Sequence, residues 1–486
     1  VSSSAASDVY KRQFLDMRFM IINITLFLLI LLLSFEISYA HVSERALTLL
    51  LPTEIYIPAG ISVLVLTILI TYISPKAFIG KLFRTYEIIF FKRFNFISSI
   101  DLNSIKVFMS LISFFLLIIL IVLGFTGSRD PLVNPLSLFI WSVWFLVMPL
   151  AQMIFGNIWS FLNPWYGIGK ILFKNNFFFK LDNNLTLVIP SLFFLLFSLF
   201  MLVDIAPDDP DRLATVVCLY FLLNFFCIWL FGIEWLKKGE CFSVFFGMLS
   251  KLSLFWFENR KAYFGFFGSQ LTHINYLPPL TVLFLAIILA TLSFDGLNET
   301  FLWFKIININ PLEFHGRSSV IFQNSIGLLA FAIFLFFIFL LTIYLGHKFI
   351  YEEIEFNKII GINSIALLPI AIAYHIAHYL TTFLVNIQYF YKVLSDPFNN
   401  GSNYFGTGNI HVTTSFFNSI ETVRIIWLIQ AFAIVFGHVI AVLLAHSISE
   451  KYLKSKSSLL ISQFPISIFM ICYTFLGLWI LSTPSV

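Results

Sequence analysis

GINSIALLPIAIAYHIAHYLTTFLVNIQ (361–388) runs for 28 residues without an Asp, Glu, Lys or Arg. About 20 mostly apolar residues suffice for an α-helix to cross a bilayer. Working outward in both directions, nine further runs of this kind follow the first 40 residues. They lie near 55–74, 107–126, 135–154, 186–205, 213–234, 277–295, 326–346, 424–447 and 461–482. The whole chain agrees with them. Of 486 residues, 59% are hydrophobic, 11% are charged and 62 are Phe. A soluble domain carries about 25% charged residues, and it cannot hide this much apolar surface from water. The expected fold is all-α, a polytopic transmembrane bundle of about ten spans whose first partner is the lipid bilayer.

Orientation follows from the basic residues. With the mature N-terminus outside and the spans alternating, the inner segments hold 19 Lys and Arg and the outer ones seven. That asymmetry is the one the positive-inside rule expects. It also leaves no basic patch for nucleic acid, because Lys and Arg track topology instead. The expected location is a bacterial inner membrane, with the mature N-terminus on the periplasmic side.

The first 40 residues read separately. Residues 1–16 (VSSSAASDVYKRQFLD) precede a plausible start at Met17-Arg18 and read as a non-native leader. Residues 17–40 combine a basic start, the apolar run ITLFLLILLL and Ser38-Tyr39-Ala40, the pattern of a cleavable signal peptide. The rest, 41–486, is expected to be one transmembrane domain beginning at His41. Four Cys, none in a C-x-x-C pair, read as small buried hydrophobes. The inner connections 75–106 and 237–273 read as amphipathic segments lying in the interface. Gly156-Asn157-Ile158-Trp159 and Asn163-Pro164-Trp165-Tyr166 read as interfacial anchors.

Ionisable groups at membrane depth are the functional candidates, since placing them there is costly. In the eighth span His375 and His378 are at i, i+3 and share a helix face. In the ninth, His438 follows Gly437, a residue that lets another helix come close. Counted from outer ends near 388 and 424, all three imidazoles fall near the midplane, whereas His446 lies about 12 Å deeper than His438. A short outer connection favours the two spans as neighbours. His375, His378 and His438 are therefore the expected metal ligands, for Cu, Zn or Fe, or for haem iron. Such a centre would serve redox or metal handling, or hydrolysis by a metal-bound water. His41 and His446 are secondary candidates. A proton relay, a substrate contact or plain helix packing would use the same His residues. Asp396 and His411, in the long outer loop above them, are candidate contacts for an unspecified small-molecule substrate. Asp295, Glu313 and His315 fall in another outer segment and read as solvated loop residues.

The stretches DPLVNPLSLFIWSVWF (130–145), GNIWSFLNPW (156–165), FDGLNETFLW (294–303), YHIAHYL (374–380), SDPFNNGSNYFGT (395–407) and WLIQAFAIVFGHVIAVLLAH (427–446) carry a resemblance. Through them the chain resembles a family of bacterial multi-pass membrane proteins labelled fenitrothion hydrolase-like. The resemblance implies organophosphate ester hydrolysis, so an enzyme reading would be a metal-dependent phosphotriesterase, beside a membrane redox protein. It carries over no catalytic residues. Walker A, G-x-S-x-G, H-E-x-x-H and C-x-x-C-H patterns are missing from the sequence. The alternatives from other classes are a proton-coupled permease and a structural subunit that works with other membrane subunits.

Overall fold

A computed structural model describes residues 48, 51–88, 101–173, 178–181, 186–258, 261–274, 276–313, 316–350 and 352–484. The leader, the signal segment, His41 and His315 lie outside the described residues. The molecule is 74% helical. Each expected span has a helix. These are α1 (Thr53–Ile73), α2 (Leu102–Thr126), α3 (Pro135–Phe155), α4 (Val188–Val203) and α5 (Pro210–Phe231), then α6 (Thr281–Leu297), α7 (Ile321–Lys348), α8 (Leu367–Ser395), α9 (Ile420–Tyr452) and α10 (Lys456–Ser482).

Among the described residues, eight helical stretches are long and apolar enough to cross a membrane, which makes this a multi-pass membrane protein. The two exceptions are α4 and α6, with 16 and 17 residues. At 1.5 Å per residue they reach about 24–26 Å, short of a hydrocarbon core of about 30 Å. Both are closely packed, α6 against α4, α7 and α8. Burial orders the bundle: 94% of the apolar window in the stretch containing α8 is buried, against 22% for α1. The helix with the charge-free run is the central one, and α1 faces outward with Ile55, Leu66 and Ile73 exposed.

Local chemistry fixes the helix ends. Asp101 caps α2 by accepting from the Asn103 amide, and Asp209 caps α5 by accepting from the Asp211 and Arg212 amides. Asn134 caps α3 ahead of Pro135, which suits a first helical position. Within α3, residues Phe139–Val147 wind as a π-helix, a form often found at functional sites.

Two interface expectations are corrected. The described parts of the connections 75–106 and 237–273 are not separate segments. They meet in a three-stranded antiparallel sheet of order β1-β3-β2, with β1 Thr85–Glu87, β2 Phe255–Glu258 and β3 Lys261–Gly265. Pairing there satisfies backbone groups that an irregular chain would leave bare. Trp159 and Trp165 are core residues, only 6% and 4% exposed. Their indole N–H groups donate to Ser243 Oγ and to the Phe221 carbonyl.

Candidate functional site

The α8–α9 pair has the most extensive contact of any two helices. Gly437 is the reason it can. A Cβ there would lie 2.3 Å from the Ala373 Cβ and 2.8 Å from the Pro369 carbonyl oxygen, so only glycine admits this approach. Gln430 then donates across the seam to the Ala377 carbonyl at 2.6 Å.

Close packing of α8 and α9 does not gather the three imidazoles into one centre. His378 turns to α6, where its Nε2 lies 2.8 Å from Asp295 Oδ2. The Tyr379 hydroxyl donates to the same oxygen at 2.8 Å. The His378 and Tyr379 rings meet edge to face with centroids 4.7 Å apart. Gly296 keeps this corner open, because a side chain there would strike Ile480.

His375, one turn earlier, points to α3. It packs edge to face on Phe145 and on Tyr379, with centroids 5.2 Å and 5.1 Å away. Carbonyls of Phe145 and Leu146, in the π-helical stretch, lie within hydrogen-bonding reach of its ring. Its Nε2 is buried without a partner.

His438 faces a third neighbourhood. Its Nδ1 pairs with the Ile434 carbonyl at 2.8 Å, and its Nε2 is also buried and unpartnered. Tyr374 and Tyr473, stacked at 5.1 Å, flank it. The Tyr374 hydroxyl donates to the Tyr473 carbonyl, and Tyr473 shares a 2.7 Å bond with Ser293. Among the described residues, no three His, Cys, Asp or Glu side chains are grouped to hold a metal ion.

A cavity of about 40 Å³ separates the His378 corner from the tyrosine pair, with His378, Ser293 and Tyr374 in its wall. A polar space of this size admits water, which needs roughly 10–15 Å³. The centre of the bundle therefore holds a carboxylate, an imidazole and phenols around a water-sized space.

The remaining candidates have local roles. His446 bonds Gln463 Oε1 of α10 at 2.9 Å. Asp396 accepts from the Asn400 and Gly401 amides and so closes the first turn of the loop between α8 and α9. His411 is exposed on that loop. Asp295 is the residue that sequence reasoning missed. It sits in the last turn of α6, with its side chain 15% exposed, and is not a solvated loop residue. The signal was its place at the very end of an apolar run, where either reading fits.

By fold and site this is an all-α multi-pass membrane protein with a half-buried Asp–His–Tyr cluster between α6 and α8. No family model, curated protein or solved structure matches the chain.

Proposed function

We propose that this protein is a proton-coupled permease of a bacterial inner membrane, in which Asp295, His378 and Tyr379 form the proton-binding site. The observation that carries the reading is the single Asp295 oxygen bonded to both His378 and Tyr379 beside the water-sized cavity. Buried carboxylate–imidazole chains are a recurring way to move protons through membrane proteins. Water in the cavity would link His378 to Ser293 and Tyr374. The Lys-rich pole faces the cytoplasm in this reading. In proteoliposomes, wild-type protein will carry protons under an imposed potential, and Asp295→Asn and His378→Gln, folded normally, will not. Equal flux in wild type and both variants rejects the reading.

A second reading rests on the two buried, unpartnered Nε2 atoms of His375 and His438. Unsatisfied buried polar atoms call for a ligand, and neutral imidazole suits Cu, Zn, Fe or haem iron. Metal analysis and an optical spectrum on wild type, His375→Ala and His438→Ala decide it. Stoichiometric metal or a Soret band lost in one variant supports a centre at that histidine. Neither signal in fresh wild-type protein rejects it.

A further inference from the structure

A second cavity, of about 390 Å³, lies away from the Asp295 cluster, where α2, the Trp235–Lys238 helix, the Cys241–Leu249 helix and the start of α6 meet. Four lysines line it: Lys106, Lys237, Lys238 and Lys251. No Asp or Glu does. Glu240 is nearby in sequence, but its carboxylate is engaged by the Phe242 and Ser243 amides and the Tyr220 hydroxyl. Of the four, Lys237 has an exposed acidic neighbour, Glu234, at 3.1 Å.

Two of the other lysines, Lys251 and Lys106, are poorly neutralised. Lys251 makes no hydrogen bond or ion pair among the described residues, and burial pushes its pKa down from the usual lysine value. Lys106 lies over the Tyr166 ring, 4.4 Å from its centroid, and feels the like charges of Lys237 and Lys170. Gathering like charges around a partly desolvated space is unfavourable unless a counter-charge enters it. The same wall holds a polar group without a partner. Thr281 lines the cavity at the first residue of α6, fully buried, and its hydroxyl has no partner. A buried hydroxyl left unmatched costs about 1–3 kcal/mol in proteins generally, so a ligand that accepts from it is favoured. Helix starts also favour negative charge.

We propose that this cavity is a binding site for a phosphate-bearing anion, held by Lys251 and Lys106 with Thr281 donating to a phosphate oxygen. Its volume exceeds that of bare phosphate and falls in the range of small-molecule sites. The shared chemistry is a phosphate monoester, either free or as the headgroup of an anionic lipid. The site is independent of the proton cluster and stands whether or not the permease reading does.

The test uses the full chain in phosphatidylcholine nanodiscs. Glycerol 3-phosphate is titrated calorimetrically, and phosphatidic acid retention is measured by native mass spectrometry. Saturable glycerol 3-phosphate binding identifies a soluble ligand. Phosphatidic acid retention alone identifies a headgroup. In either case Lys251→Gln and Thr281→Val should each weaken binding by about ten-fold or more. Lys251→Arg should retain it, and Lys348→Gln, on the exposed end of α7, should leave it unchanged. Melting curves establish that each variant is folded, and Thr281→Val tests the site if Lys251→Gln does not fold. The inference is overturned if neither probe binds wild type saturably, or if folded Lys251→Gln and Thr281→Val both bind as wild type does.

Discussion

At the scale of single residues, the Asp295–His378 contact matters most. Removing one member strands the other in a site with little water. We expect Asp295→Ala and His378→Ala each to lose about 3 kcal/mol of stability. The double variant should lose less than their sum, since one interaction is removed twice. Thermal unfolding in detergent across that double-mutant cycle reads the coupling, and additive losses would show that the pair does not stabilise the fold. The surface Asp209 is a contrasting case. Partial burial opposes its ionisation, but Arg129 at 2.8 Å and the amides of Arg212 and Asp211 outweigh that and hold its carboxyl below the usual range. A lowered folded pKa gives stability that is full above the ordinary Asp range and lost as pH falls through the folded value. Asp209→Asn should therefore lower the melting temperature at neutral pH, leave it nearly unchanged in acid, and so flatten the acid limb of the profile. An unaltered acid limb would contradict it.

Among the secondary-structure elements, the sequence was most informative where patterning was strongest. Every apolar run within the described residues is helical, and Gly437 marks a close helix crossing because glycine lets the neighbouring helix approach. The same crossing gives a test. Gly437→Leu must force α9 from Ala373 and Pro369, costing about 1–3 kcal/mol as overpacking does. A wild-type melting temperature would show that the seam yields freely. The three-stranded sheet was not legible, because its strands are three to five residues long and two of the partners come from connections far apart in the chain. The π-helical stretch of α3 was also hidden, since Phe139–Val147 is apolar apart from Ser142 and no Gly or Pro in it marks a change of winding. That stretch sets the wall against which His375 packs. Depth arithmetic puts the imidazoles at similar levels, but depth says nothing about azimuth. His375, His378 and His438 face α3, α6 and the Tyr374–Tyr473 pair, directions that only packing decides.

For the whole molecule, charge is sorted by pole. Arg129, Asp204, Asp209, Arg212 and Arg317 form a paired set at one end, with Arg212 bonded to Asp204 at 2.6 Å and Arg317 reaching the last carbonyls of α4. Lysines dominate the connections at the other end. Orientation can be checked by cysteine labelling in a background without the four native Cys. An impermeant maleimide on intact cells should label Asn400→Cys in the outer loop and spare Lys348→Cys. The reverse pattern would invert the topology and place the phosphate-type site outside.

The central claim is that Asp295 exchanges a proton within the membrane. Infrared difference spectroscopy across a pH titration tests it most directly, because a protonated carboxyl has its own band, separate from carboxylate. The account predicts a buried-carboxyl band that grows as pH falls, disappears in Asp295→Asn and shifts in His378→Gln. A titration identical in wild type and Asp295→Asn would contradict it, and would leave the Asp–His–Tyr cluster as a structural brace between α6 and α8.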